Sequence, residues 1–369
     1  MKLEAAKQDA SNGVIAFDLM RTAFERTWKS HPDRRWDSLC RFAGRPARIR
    51  VVGQGLSQQI ARAFEHLLVK ENPSSPELKI DLWDEGDTSV SCPVNTEPLD
   101  PRLLKSSSYV EFGLILGSLS DPYIGCHRPQ VVTWFGRREQ HIVGWISHHH
   151  QLPIYERGKP LHFPLLLWHS DRGAEVIHAA LVSKNGKGML FAGKGGAGKS
   201  TVALACIRAG FGYLGDDYIG LEACAGGHFV GHSLYSATWL MADHFARFPQ
   251  LMSYAIYPER PEQEKTLALL SEVFPHQLCR TATVYALLLP RIVADSATQI
   301  RPATKAEALF ALAPSSILLR PNSGAATLNK LGRLVEQVPC YWLEFTQDLN
   351  DIPPRLQAII GPARPDHSH

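Results

Sequence analysis

Residues 193–200 read Gly193-Lys194-Gly195-Gly196-Ala197-Gly198-Lys199-Ser200, the spacing G-x-x-x-x-G-K-S. Glycines at these places let backbone N–H groups turn inward around an anion. Lys199 can then reach the β- and γ-phosphates of a nucleotide, and the Ser200 hydroxyl can ligate Mg²⁺. Thr201 follows directly and completes the nucleotide-contacting set. Phosphoryl transfer also needs a carboxylate that orients or deprotonates the nucleophile. Asp216 and Asp217 come one helix and a short turn after Ser200, so the chain can bring them back to the phosphate end. Adjacent carboxylates near one metal ion have unequal environments, and one can hold the ion while the other takes a proton. A pair of turn acids, or a metal-holding aspartate with no base role, are the plainer readings. His178, upstream on an expected strand, is placed either to contact the transferred group or to serve the core.

The elements that must position these groups follow from patterning. Gly188 to Ala192 reads as a strand and Thr201 to Ala209 as a helix, the strand–loop–helix context the motif requires. Ile177 to Val182 reads as a strand, and Asn185-Gly186 is a hairpin turn. The strand entering the loop should therefore pair antiparallel with its predecessor, whereas an all-parallel NTPase core reaches that strand from a helix. Downstream, Phe211 to Gly215 and Tyr218 to Leu221 flank the acidic pair, and Gly226-Gly227 marks a second hairpin. Residues 236–280 read as mainly helical, Ala282 to Leu289 as an apolar strand, Thr304 to Leu312 and Leu328 to Val338 as helices, and Cys340 to Phe345 as a strand.

The first 150 residues read as a separate α/β domain. A helical pattern covers 12–29. Arg48 to Val52, Leu56 to Val69 (with Ser57 as its cap) and Leu78 to Trp83 form a β-α-β unit. Its turn, Gly53-Gln54-Gly55, is a weak dinucleotide signal that lacks a third glycine. Arg45, Arg48 and Arg50 read as a solvated strand edge. Residues 85–108 read as a linker, Val131 to Phe135 and His141 to Ile146 as a hairpin, and the His- and Pro-rich stretch 147–173 as a crossing. Adjacent His148, His149 and His150 lack the convergent spacing of metal ligands on one element. The expected division is thus 1–150, an N-terminal α/β domain with a possible substrate-recognition role; 151–360, a catalytic domain; and 361–369, a disordered tail.

With 369 residues, 44% hydrophobic, 20% charged and a net charge of +3, the chain is ordinary globular material, too weakly basic to point to nucleic acid or a membrane surface. Its seven cysteines are odd in number, widely spaced and free of C-x-x-C, which disfavours a disulfide framework or a zinc site and favours a cytoplasmic setting.

The run from His178 to Leu221 resembles the catalytic core of bacterial HPr kinase/phosphorylase: a strand histidine, a hairpin, the phosphate loop, one helix, then Asp-Asp followed by apolar residues. The resemblance implies a mixed-sheet P-loop kinase core related to phosphoenolpyruvate carboxykinase, using ATP and Mg²⁺. Carried over by position, it makes Asp217 the base that activates a hydroxyl, Asp216 and Ser200 the metal side, Lys199 the phosphate clamp and His178 the neighbour of the transferred phosphate. The family's Glu-Ile-Arg-Gly-Leu-Gly segment has no counterpart here; the comparable region reads Gly231 to Leu240. That departure separates the chain from the phosphorylase reaction and from HPr as substrate. It resembles instead divergent members akin to kinases that phosphorylate a serine of a peptide precursor. The expected activity is an ATP-dependent kinase acting on a hydroxyl, with serine foremost, of a peptide, protein or small molecule. The alternatives are a P-loop NTPase and a non-catalytic nucleotide sensor. Lys265 and Arg291 are further candidates to neutralise charge across the cleft.

Overall fold

The computed structural model describes residues 2–70, 75–94, 113–128, 130–256, 265–294, 297–319 and 324–361. The Pro98, Pro101 and Ser106 to Ser108 part of the expected linker lies outside the described residues, as does the expected tail beyond Gly361. Two compact units divide between Trp168 and His169, where the sequence reading put a boundary at 150. Both units are α/β, and each is built on a mixed sheet. Among the described residues no helix is long and apolar enough to cross a membrane.

The first unit opens with helix α1 (Lys2–Ser30), longer than the 12–29 expected. Phe17, Met20, Phe24 and Thr27 recur on one helical face and are buried. The apolar three pack with Val52, Trp83, Val132, Trp134 and Val143. The sheet contains β1 (Arg35–Phe42), β2 (Arg45–Val52), β3 (Leu68–Val69), β4 (Leu78–Asp84), β5 (Leu114–Leu116), β6 (Tyr123–Arg128), β7 (Val131–Gly136) and β8 (His141–Ile146). Its order is β3-β1-β2-β4-β8-β7-β6-β5. β2, β4 and β8 are mutually parallel; β2 and β4 are joined through α2 (Gln54–Phe64), as the β-α-β reading expected.

Four expectations need correction in detail. Ser57 does not cap α2: Gly53 is the N-cap, and the Ser57 hydroxyl donates to the Gln54 carbonyl inside the first turn (2.8 Å). Arg50 is not on a solvated edge. It donates to both oxygens of buried Asp81 (2.7 and 2.6 Å) and to Glu25, and its guanidinium lies over Phe24. Residues 85–88 form a short helix, α3 (Glu85–Thr88). The expected crossing at 147–173 is largely helical, with α4 (Ile154–Gly158) and α5 (His162–Asp171); its apolar side chains override its His and Pro content.

The second unit holds β9 (Ala174–Ile177), β10 (Ala180–Lys184), β11 (Lys187–Phe191), β12 (Gly212–Gly215), β13 (Ile219–Ala223), β14 (Phe229–Ser233), β15 (Ala237–Leu240), β16 (Ala255–Ile256), β17 (Thr266–Leu269), β18 (Thr281–Ile292), β19 (Gln299–Pro302) and β20 (Cys340–Phe345). The large sheet runs β12-β10-β11-β18-β14-β13-β9, with β20 on β18 and β19 on β20. β11 pairs antiparallel with β10 from Ala180↔Phe191 to Lys184↔Lys187, and parallel with β18. Asn185 and Gly186 both take positive φ (54° and 74°), the conformation a two-residue hairpin turn requires. Side-chain alternation along the strands feeds two cores. Val182, Phe191 and Leu288 face one cluster, which includes Val202 to Ile207 of the helix after the loop. Leu181, Leu190 and Leu287 face the other, beneath helices Lys305–Ile317 and Gly324–Gln337. The segment 236–280, expected mainly helical, instead contributes the small sheet β15-β17-β16 and short helices.

Candidate functional site

Register explains why distant residues meet. β10 begins at Ala180, opposite Phe191, the last residue of β11, and Leu181 faces Gly215, the last residue of β12. Three chain segments therefore end at one sheet edge: His178 just before β10, the Gly193 loop just after β11, and Asp216-Asp217 just after β12. The loop leads into α6 (Lys199–Arg208), whose N-cap is Gly198 and which has no side-chain cap. An uncapped helix start offers its first-turn N–H groups to an anion. Gly193, Gly196 and Gly198 take positive φ (155°, 78° and 99°). A Cβ on Gly198 would also lie 2.6 Å from the Phe345 ring, so that position requires glycine twice over.

Lys199 is buried, and its ammonium donates to the Gly193 and Lys194 carbonyls (2.8 and 3.3 Å). Burial lowers its pKa, against the opposing pull of Asp216 and Asp217. Asp216 is 7% exposed. Burial raises its pKa, as does the neighbouring Asp217 charge; hydrogen bonds from Ser200 and Thr238 and the Lys199 charge act the other way. Thr238 Oγ1 donates to Asp216 Oδ2 at 3.1 Å. Asp217 points elsewhere. Its Oδ1 is 2.9 Å from His178 Nε2, the two side chains being 22% and 21% exposed. Asp217 takes φ 84°, a left-handed conformation that costs a non-glycine residue roughly 1 kcal/mol and that aspartate tolerates better than most.

These groups line a cavity of about 380 Å³. His178, Gly195, Gly196, Gly198, Lys199, Ser200, Thr201, Asp216 and Asp217 line it together with Lys265. Gly193 and Lys194 supply carbonyls to Lys199, and a Cβ on Gly193 would lie 3.1 Å from Ala197 Cβ. Arg291 is not brought in: it is largely exposed, pairs with Glu344 at 3.7 Å and lies over the Trp342 ring. The sequence reading missed Trp239, Met241, Asp243, His244 and Arg247, which form one wall. They lie in the stretch misread as helical, and no motif marks them. His244 is the most constrained. The Met241 N–H donates to its Nδ1 (2.9 Å), so Nε2 carries the proton and donates to Thr201 Oγ1 (3.0 Å). Burial holds its pKa low and the ring neutral. The Thr201 hydroxyl is thereby left with its own proton to give to a ligand.

The donor set fits a nucleotide phosphate chain and a hard divalent cation: glycine-loop and helix N–H groups and one lysine for the anion, a hydroxyl and a buried carboxylate for the ion. In the first unit, by contrast, the Gly53-Gln54-Gly55 turn is covered by a side chain in this structure. The His149 imidazole lies over it, and a Cβ on Gly55 would sit 2.0 Å from Nε2.

No protein-family model matches the chain, and no curated protein matches it. Among solved structures, the Hpr(Ser) kinase/phosphatase from Coxiella burnetii aligns at 12% identity over 50% of this chain and 93% of that chain, with a TM-score of 0.25. So slight a likeness carries no fold assignment.

Proposed function

We propose that the second unit is an ATP- and Mg²⁺-dependent kinase that transfers the γ-phosphate to a hydroxyl, with serine as the foremost acceptor. One observation carries this beyond nucleotide binding: the two adjacent carboxylates are committed to different partners. Asp216 is buried onto Ser200 and Thr238, as a metal-side carboxylate should be. Asp217 is partly exposed, paired with His178, and held at positive φ on the cavity wall. A carboxylate set apart from the metal side is the group a hydroxyl acceptor needs to give up its proton, and a hydrolase would turn the same group on water, so the acceptor assay below separates the two.

In this reading the loop and α6 N–H groups bind the phosphates, Lys199 spans from its carbonyl anchors to the terminal phosphates, and Thr201, oriented by His244, supplies a further donor. Ser200 and Asp216 would hold Mg²⁺, which supplies charge neutralisation on the phosphate oxygens. Asp217 accepts the acceptor's hydroxyl proton as that oxygen bonds to the γ-phosphorus and the β–γ bridging bond breaks, releasing ADP. His178 orients the Asp217 carboxylate and lies beside the transferred group. The mixed sheet, with the loop strand antiparallel to its predecessor, supports a core of the HPr kinase and phosphoenolpyruvate carboxykinase kind. The first unit is then available for acceptor recognition.

The test is mass spectrometry of serine-bearing peptides and small hydroxyl compounds incubated with ATP–Mg²⁺ and either the wild-type chain or Asp217→Asn. Addition of one phosphoryl group by the wild type, reduced by roughly 10²–10⁴ in the variant with nucleotide affinity retained, supports the reading. Brisk ATP hydrolysis with every acceptor unmodified, and no response to the substitution, would sink it.

A further inference from the structure

Two features of the first unit play no part in the proposed kinase chemistry: the Gly53-Gln54-Gly55 turn and the histidine triplet. The fold brings them together. β2, β4 and β8 are parallel, so the segments leaving their C-terminal ends emerge side by side: Gly53 after β2, Asp84 and Asp87 at and after the end of β4, and His149 after β8. Open α/β sheets bind ligands outside this end of their strands. One oxygen of Asp84, one oxygen of Asp87 and one ring nitrogen of His149 lie within 4.8 Å of one another.

The burial and pairing of these groups are unusual for a merely structural contact. Asp84 is fully buried and Asp87 half-buried, yet among the described residues neither carboxylate pairs with a lysine or arginine. Asp84 Oδ1 accepts from the Gly86 N–H, and its Oδ2 accepts from the His149 N–H (3.1 Å) and lies 2.5 Å from His149 Nδ1. These bonds fix the orientation of the carboxylate. Asp87 Oδ2 is shielded from solvent and has no hydrogen-bond partner. A buried carboxylate oxygen without a donor is costly unless a cation completes it. It rests against Gly53, where a Cβ would come within 3.2 Å of it and within 2.9 Å of Asp84 Cβ.

We infer that Asp84, Asp87 and His149 form a binding site for a divalent transition-metal ion, with Zn²⁺ best matched to one imidazole and two carboxylates. On binding, the ion replaces the proton shared by Asp84 and His149 Nδ1, which passes to solvent. Tetrahedral bonds of about 2.1 Å set ligand atoms about 3.4 Å apart. The ring therefore need shift by less than about 1 Å from its present contact, and the His149 side chain, 27% exposed, has that freedom. Water fills the remaining position on the exposed side. The ion ties together the ends of two neighbouring strands, β4 and β8, and the site stands or falls independently of the kinase reading.

The experiment titrates Zn²⁺ alone into EDTA-stripped full-length protein against a chromophoric chelator, following melting temperature in parallel. The wild type should take up a single tight Zn²⁺ and melt higher with it. Asp87→Asn and His149→Gln should bind it about tenfold more weakly or worse. Asp216→Asn should bind it like the wild type, which separates this site from the cavity of the second unit. Without metal, Asp87→Asn should melt no lower than the wild type, since the substitution is nearly isosteric and the shielded Oδ2 has no hydrogen bond to lose; that comparison shows the variant is folded. His148→Ala and His150→Ala should retain the tight site. Equal Zn²⁺ affinity in the wild type, Asp87→Asn and His149→Gln overturns the inference, and so does a wild type whose melting temperature ignores Zn²⁺.

Discussion

Replacing Asp216 with Asn should stabilise the chain and weaken its metal-dependent nucleotide binding at once. Asp216 is 7% exposed, and burial and Asp217 raise its pKa. A carboxyl group whose folded pKa lies above its unfolded value favours folding while it is neutral. That advantage fades as pH rises past the unfolded value of 3.8 toward the folded one, and above the folded value the charged group carries its full burial penalty. Asparagine has nearly the same shape and keeps an oxygen to accept from Thr238 or Ser200. The loss is roughly 1 kcal/mol for one charge-assisted bond. Relief of a buried charge beside a second carboxylate is worth about 1–3 kcal/mol. The net is about 1 kcal/mol in favour of the variant, or about 2–4 °C in melting temperature for a unit of this size. Binding should move the other way. Loss of a charged ligand should raise the Kd for ATP–Mg²⁺ by about tenfold or more, while ATP in excess EDTA binds as well or better, because an anion near the phosphates is gone. Differential scanning fluorimetry and calorimetric titration, each with Mg²⁺ and with EDTA, separate the two effects. A variant that melts lower than the wild type refutes the buried-charge reasoning. A variant that binds ATP–Mg²⁺ undiminished refutes the metal-side assignment.

Three further outcomes follow from the same geometry. His244→Ala removes the donor that orients Thr201 and should raise the Kd for nucleotide about fivefold, from roughly 1 kcal/mol of lost hydrogen bonding; titration calorimetry reads it, and an unchanged Kd argues that Thr201 does not face the ligand. Gly198→Ala combines a φ of 99° with a Cβ 2.6 Å from Phe345, so it should cost about 2–4 kcal/mol and abolish nucleotide binding, seen as a lower urea midpoint and a flat titration. In the first unit, burial tends to raise the pKa of Asp81, but hydrogen bonds from His141 and Arg50 prevail and hold it low. Its contribution is present above the ordinary value of 3.8 and is lost as pH falls through the depressed folded value. Arg50→Met should therefore cost about 3 kcal/mol near neutrality and flatten the acid limb of the stability–pH curve, both measurable by urea unfolding between pH 3 and 7.

Local chemistry in this chain was legible where it depends on a few neighbouring residues. The left-handed glycines of the 193–198 turn and the Asn185-Gly186 hairpin require particular residue types at fixed offsets, and those types are present. The β-α-β unit was legible because alternating apolar residues in β2 and β4 bracket an amphipathic helix. What failed did so for tertiary reasons. The stretch 236–280 carries helix-compatible apolar spacing, yet Ala237 to Leu240 pairs with Thr266 to Leu269, a contact that no local window contains. β1 escaped notice because its exposed face is polar and its pairing with β2 turns on Ala43-Gly44, both at positive φ. The wall formed by Trp239, Met241, Asp243, His244 and Arg247 was invisible for the same reason: only the small sheet brings it to the loop.

The acidic pair shows where such reading must stop. Residue type alone does not say which of two adjacent aspartates does what; in the sequence only position within the resemblance distinguished Asp216 from Asp217. Successive side chains on an extended chain point apart, so leaving β12 sends one carboxylate onto Ser200 and Thr238 and the other to His178. The left-handed turn at Asp217 completes the separation. A single backbone conformation thus converts a repeated residue into a buried, pKa-raised group and a half-exposed, histidine-paired one. Division of labour between a metal-side carboxylate and a proton acceptor needs that asymmetry, and Asp216→Asn and Asp217→Asn should consequently fail in different assays: metal-dependent binding for the first, phosphoryl transfer for the second. Equal defects in both assays would mean that the two carboxylates act as one acidic patch and that the backbone turn between them has no chemical consequence.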